Sequence, residues 1–236
     1  MFNQHLHEST MTNYERPITP ELAHMLASGV VAVVRLNEAV SLRKAAEAVA
    51  AGGVGAFEVT LTTPGAVDAV RDLVAAKIPG LMIGAGTVLD VEATNAVIDA
   101  GARFVVSPTL ELDVLKVCVQ RNIICIPGAF SPSEALTAWR LGASIVKIYP
   151  SSSVGPSFIT NVLGPLPFLR MSPSGGMTLE NAADWIRAGA VAVSMAQALM
   201  DPVVIRNGDW HELTARAQRV VQSVAAARRE RAGKQG

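Results

Sequence analysis

Short apolar runs rich in Val, Ile and Ala recur along the chain, separated by more polar, Ala-rich stretches. They are VVAVVRL (30–36), AFEVTL (56–61), LMIGAG (81–86), FVVSP (104–108), IICIPG (123–128), IVKIYP (145–150), FLRMSP (168–173) and AVAVSM (190–195). Each suits a strand in length, and continuous apolarity fits strands buried on both faces of a parallel sheet. Their starts step by 26, 25, 23, 19, 22, 23 and 22 residues, the near-constant period of a repeated unit. Helical spacing fills most of the gaps. In SLRKAAEAVAAGG, Leu42, Ala45, Ala46 and Val49 form one stripe and Gly52-Gly53 end it. In SPSEALTAWRLGA, Ser131 is the N-cap, Pro132 takes N1 and Gly142 follows the last turn.

Strands alternating with helices eight times predict an α/β chain folded as a (β/α)8 TIM barrel. A doubly wound sheet is the rival, but it would normally carry a Gly-rich loop after the first strand, where VVRLNEAVS has no glycine. Two helices lie outside the repeat. The N-terminal one, ITPELAHMLAS, has Thr19 and Pro20 as its start signal and is expected to plug the barrel bottom. The C-terminal one carries Trp210, Leu213, Ala217, Val220, Val221 and Val224 on one face, which must pack on the barrel or on a neighbouring subunit. The domain plan is a flexible tail over 1–16, with Met11 as an alternative start, and a single barrel domain over 17–236.

Twenty basic and twenty acidic side chains give a formal net charge of +0, which argues against a general nucleic-acid or membrane-surface binder. The basic end AARRERAGKQG reads as a solvated helix terminus. No apolar run approaches the ~18 residues of a membrane span, and MFNQHLHESTMTNYER has no apolar core of a secretory signal. Cys118 and Cys125 form no CxxC pair and read as small buried hydrophobes, consistent with a reducing cytoplasm.

In such barrels chemistry sits where the C-terminal strand ends converge. Those ends present Arg35, Glu58 through Thr62, Thr87, Ser107-Pro108, Pro127-Gly128, Lys147 with Tyr149, Ser174 through Gly176, and Ser194 with Gln197. None of the four histidines falls on a predicted strand, and Glu58 is the sole strand carboxylate. A metal site or a Ser–His–Asp triad therefore lacks its ligands and partners, and no metal or cofactor is expected. Lys147 stands out, because lysine is rarely buried without a partner. Strand alternation puts it on the face of Ile145 and Tyr149, and puts Glu58 on the face of Thr60 and Thr62. A structural ion pair is one reading. The other is a Schiff-base nucleophile: apolar surroundings favour the neutral amine that attacks a ketone, and the iminium then accepts electrons from a breaking bond.

These residues lie in motifs that resemble the class I aldolases acting on 2-keto-3-deoxy-6-phosphogluconate (KDPG) and 4-hydroxy-2-oxoglutarate. The motifs are FEVTLTTPGA, IGAGTVLD, FVVSPTL, IPGAFSPSEA, VKIYPSSSVGP and SPSGGMTLENAADWIRAGAVAV, in that order, within about residues 29–200. The resemblance implies a metal-free homotrimer of barrels that yields pyruvate and an aldehyde. It implies that Lys147 forms the Schiff base, that Glu58 moves protons, and that Thr87 with an arginine holds the substrate carboxylate. Thr62 stands where many members have that arginine, and Arg35 at the first strand end is expected to replace it, with Pro108 and Tyr149 lining the substrate. Gly175, Gly176 and Gln197, with a helix starting near Thr178, mark the phosphate end. There SMAQAL and Thr160 replace the usual glycine–serine loop and lysine, so a weaker preference for phosphorylated substrates is expected, with a non-phosphorylated 2-keto-3-deoxy acid as an alternative substrate. YPSSSVGP is also similar to 2-keto-3-deoxy-6-phosphogalactonate aldolases. A phosphosugar isomerase or epimerase would want a second acid/base at the strand ends, and a catalytically idle sugar-acid-binding barrel remains the alternative from another class.

Overall fold

The structure is a computed structural model, which describes residues 14–35 and 42–233. Helix α1 (Pro20–Ser28) opens as expected: the Thr19 side chain accepts from Leu22 N at 3.2 Å, and Gly29 closes it with φ 67°. There follow β1 (Val30–Val34), α2 (Leu42–Ala51), β2 (Ala56–Thr60), α3 (Ala66–Ala75), β3 (Met82–Gly86), α4 (Val91–Asp99), β4 (Phe104–Val106), α5 (Leu112–Gln120) and β5 (Ile124–Ile126). After Pro127 come β6 (Gly128–Ala129), α6 (Pro132–Arg140), β7 (Val146–Ile148), α7 (Ser157–Leu163), β8 (Met171–Pro173), α8 (Ala182–Arg187), β9 (Val193–Met195), α9 (Pro202–Arg206) and α10 (Trp210–Ala232).

Every strand pairing is parallel, as continuous apolar runs require. The strands do not form the single eight-membered sheet expected of the repeat. Six of them curl in the order β5-β4-β3-β2-β1-β9, and three more run β6-β7-β8. The break in the fifth unit falls at Pro127, which has no N–H to give the ladder; its carbonyl still accepts from Lys147 N at 2.9 Å. On the other side, Val191 N donates to Met171 O at 2.9 Å and Ser174 bridges Ser194, so β8 and β9 also run alongside.

The period-two pattern sorts the strand residues into an outer set, packed under the helices, and an inner set. Val31, Val33, Ala56, Met82, Phe104 and Ile145 pack in the inner cluster together with Leu22 and Met25 of α1. The helix outside the repeat thus buries Leu22 and Met25, with Leu26 packed beside them, against the inner strand faces, as a plug does. Capping decides where helices begin. Ser131 accepts from Glu134 N while the Glu134 carboxylate accepts from Ser131 N at 2.8 Å, a reciprocal pair worth about 1 kcal/mol at each cap.

Two expectations need correction. Of the tail over 1–16, residues 1–13 lie outside the described residues, but Tyr14–Arg16 is docked: Tyr14 stacks on Phe168 at 4.8 Å, and its carbonyl accepts from Trp139 Nε1 at 2.8 Å. The basic C-terminal helix end is not simply solvated. Arg228 donates to the carbonyls of Ala27 at 2.9 Å and Val191 at 2.7 Å, which pins α10 across the end of α1. The apolar face of α10 packs on its own chain, the first of its two expected partners, so closely that a Cβ on Gly52 would lie 2.4 Å from Ala217 Cβ.

Candidate active site

The inner faces are apolar toward one end and turn polar toward the C-terminal strand ends, where Glu58 follows Ala56 and Lys147 follows Ile145. A cavity of about 700 Å³ opens there. Arg35, Glu58, Thr87, Pro108, Lys147, Tyr149, Gly175, Gly176 and Gln197 all line it. Nine of the ten side chains singled out from the sequence are thus brought together from seven strand ends. Thr62 is the exception. Its hydroxyl bonds that of Thr60 at 2.9 Å and it faces a neighbouring surface groove, because the chain turns after Thr60 and the strand alternation no longer applies. A cleft of about 790 Å³ near the start of α1 is larger, but its arginines Arg103 and Arg121 are engaged by Glu21 and Asp99 and its lysine, Lys77, is exposed.

Glu58 is 1% exposed and its Oε2 has no hydrogen-bond partner among the described residues. Burial drives its carboxyl above the ordinary value of 4.5; the Lys147 ammonium and then the Arg35 guanidinium pull it back, and burial wins. Space for this carboxylate comes from the next strand. A Cβ on Gly86 would lie 1.8 Å from Glu58 Oε1, so no side chain larger than hydrogen is compatible. Gly86→Ala is expected to displace the carboxylate and to slow turnover about 100-fold or more, with the lysine still reactive. Steady-state kinetics beside borohydride trapping with pyruvate checks this, and unchanged turnover would show that Glu58 does not need its present position.

Lys147 is 7% exposed, with Nζ 5.1 Å from the Tyr149 ring centroid, in cation–π range. Its register partners are small: Gly128 on β6 and Ser172 on β8. Ser172 shares a bond of 3.3 Å with Ser194 across β9. Thr87 ends β3 with φ 59°, a left-handed conformation that is costly for a β-branched residue and that turns up at binding sites. Gly175 and Gly176 have φ 85° and 79°, and a Cβ on Gly176 would lie 2.7 Å from Ser152 Cβ, so this turn is closed to other residues.

The phosphate-end expectation changes in detail. Helix α8 starts at Ala182 rather than near Thr178, since Asn181 Oδ1 takes the Thr178 N–H at 2.8 Å and Thr178 Oγ1 takes that of Asn181 at 3.1 Å. That reciprocal turn delays the helix and occupies the N–H groups an anion would use. Thr160 lies outside the cavity lining and donates to Ala188 O at 3.1 Å. Arg170 turns toward the N-terminal segment, over Trp139 at 5.5 Å. The sequence reading missed the cavity's Met177, Met200 and Pro202; two single apolar residues in loops and one at the start of a short helix carry no periodic signal. Among the described residues, no group of three or more His, Cys, Asp or Glu could hold a metal ion, and no helix is long and apolar enough to cross a membrane.

A buried lysine and a buried carboxylate thus share one cavity at the C-terminal ends of a curled parallel sheet. The family model described as KDPG and KHG aldolase matches residues 23–216, and the chain belongs to that family. The 2-dehydro-3-deoxy-phosphogluconate aldolase of Pseudomonas aeruginosa is 33% identical over 201 residues, covering 85% of this chain and 91% of the relative. A probable 2-dehydro-3-deoxy-6-phosphogalactonate aldolase of Rhizobium meliloti is 34% identical over 151 residues, 64% of this chain and 71% of that one. The crystal structure of KDPG aldolase from Legionella pneumophila, with pyruvate captured as a covalent carbinolamine, has a TM-score of 0.79 and 29% identity, covering 86% of this chain and 98% of that one.

Proposed function

We propose that this chain is a metal-independent class I aldolase that cleaves a 2-keto-3-deoxy sugar acid to pyruvate and an aldehyde. The observation that carries the reading is the buried Lys147 in one cavity with Glu58, whose Oε2 lacks a partner among the described residues. Lys147 as the neutral amine adds to C2 of the keto acid, and loss of water gives the iminium. Glu58 removes the proton of the C4 hydroxyl, directly or through water; the C3–C4 bond breaks, its electrons move to the iminium nitrogen, and the aldehyde leaves. Glu58 then returns a proton to C3 of the enamine, and water releases pyruvate. Arg35 offers a planar fork to the substrate carboxylate, with Thr87 beside it, Pro108 and Tyr149 flanking, and Thr62 supporting Thr60 from outside. Gly175, Gly176 and Gln197 meet the far end of the substrate. Covalent pyruvate in the Legionella relative and names citing both the gluconate and galactonate acids support this substrate class.

The finer architecture is part of the same reading. The six-stranded arc and the three-stranded arc close into a (β/α)8 barrel, supported by the contacts of β8 with β9 and of Lys147 N with Pro127 O. The chain is one domain over 17–236 and assembles as a homotrimer. Two free cysteines support a cytoplasmic location. Incubation with pyruvate and borohydride, followed by intact mass measurement, is expected to give one reduced pyruvyl adduct per chain, undiminished by EDTA, with cleavage equally unaffected. Absence of the adduct, or EDTA loss reversed by a divalent metal, would overturn the reading.

A further inference from the structure

A sugar acid that carries a phosphate has two anionic ends, and each end needs a partner once it leaves water. The loops that follow the strands supply one cation between them. After β1 comes Arg35 and then LNEAVS; the other loops are LTTPG (61–65), TVLD (87–90), SPTLE (107–111), FS (130–131), YPSSSVGP (149–156), SGGMTLEN (174–181) and AQALMD (196–201). None of these contains a lysine or a second arginine, whereas five carboxylates stand among them: Glu38, Asp90, Glu111, Glu180 and Asp201. Lys147 is committed to the imine. The cation nearest the loop after β9, Arg216, is taken: it pairs with Glu212 at 2.7 Å and Asp201 at 3.1 Å and donates to Ala198 O.

Strand β1 lies between β9 and β2, so Arg35 stands between the Gln197 loop and Glu58. Whichever end it meets, it serves one anion, and every 2-keto acid brings its own carboxylate. What is left for the second end is Gln197, the Gly175-Gly176 turn, and apolar surface from Met177, Met200 and Pro202. A phosphate of charge about −2 would lose water there with no counter-charge from these loops. Resting on the aldolase reading above, we propose that the aldehyde half of this enzyme's substrate is uncharged: it bears neither phosphate nor a second carboxylate, and the natural substrate is a non-phosphorylated 2-keto-3-deoxy acid.

Condensation with pyruvate tests this without fixing the configuration at C4. Racemic glyceraldehyde, racemic glyceraldehyde 3-phosphate and glyoxylate are compared as acceptors by kcat/KM, with borohydride trapping of pyruvate run in parallel. The expected result is that glyceraldehyde matches or exceeds both anions. A preference of ~100-fold or more for either anion, with the adduct formed, overturns the proposal and leaves the aldolase standing; an adduct with no condensation of any acceptor overturns it equally. No adduct at all fells the aldolase reading, and the proposal with it. Gln197→Lys supplies a cation and is expected to move the ratio about tenfold toward the phosphorylated aldehyde. An unchanged ratio would show that the second end does not lie at Gln197.

Discussion

Lys147→Met is expected to abolish cleavage, a loss on the order of 10⁴-fold or more, and to eliminate the borohydride-trapped pyruvate adduct. Methionine matches the lysine stem in volume, and the position is buried between Gly128 and Ser172 with Ile145 beneath it on the same face. The fold should therefore survive, and thermal unfolding should move little or upward, because an ammonium is no longer held away from water. Circular dichroism beside the kinetics separates the two effects. Residual cleavage within a hundredfold of the parent, with no adduct, would mean that another group performs the chemistry.

Glu58→Gln is expected to slow turnover by about 10²–10⁴-fold while pyruvate still forms the imine, so that trapping persists but deuterium enters the pyruvate methyl slowly. The same substitution should stabilise the protein, and increasingly so as pH rises. The carboxyl of Glu58 is held above its ordinary 4.5 in the fold, by burial first and against the pull of Lys147 and Arg35. Below 4.5 folded and unfolded chains are both protonated and burial costs nothing through this group. As pH climbs past 4.5 the unfolded chain loses the proton first, so stability falls until the folded group also ionises. Glutamine has no such dependence, and the difference in Tm between variant and parent should widen with pH. A constant difference would mean that Glu58 is not displaced from its ordinary titration. An undiminished exchange rate would remove it as the base.

Much of this arrangement was legible before any coordinates, because its causes are local and periodic. All the apolar runs became strands within a few residues of the expected bounds, since a parallel sheet buried on both faces leaves an unbroken apolar signature. The parity that set Lys147 and Glu58 on inward faces follows from strand geometry alone. What escaped depends on events between distant segments or within single turns. Pro127 breaks the fifth strand through a missing donor. Asn181 and Thr178 exchange bonds and postpone a helix. Tyr14 finds Phe168 across most of the chain length, and no window of sequence contains both. Thr62 fails to reach the cavity because alternation ends where the strand does. The need for glycine at position 86 is invisible from its own neighbours, since the atom it accommodates belongs to Glu58 on another strand.

The small residues on either side of Lys147, Gly128 and Ser172, bear on something other than room for a ligand. In the proposed cycle the carbon that the amine attacks is trigonal as a ketone, tetrahedral as a carbinolamine, trigonal again as an iminium, and repeats the sequence in reverse on release. Nitrogen is tethered by four methylenes to a backbone held in register on both sides, while the keto acid is held by its carboxylate. Each change of hybridisation must then be absorbed by torsions of the tether. Branched neighbours at those two positions would lock it into one rotamer and favour one geometry of the reacting carbon at the expense of the next. A hydrogen on one flank and a hydroxymethyl on the other leave the arm free to pivot in the plane of the sheet, so a rigid scaffold can serve every geometry of the cycle without moving its backbone.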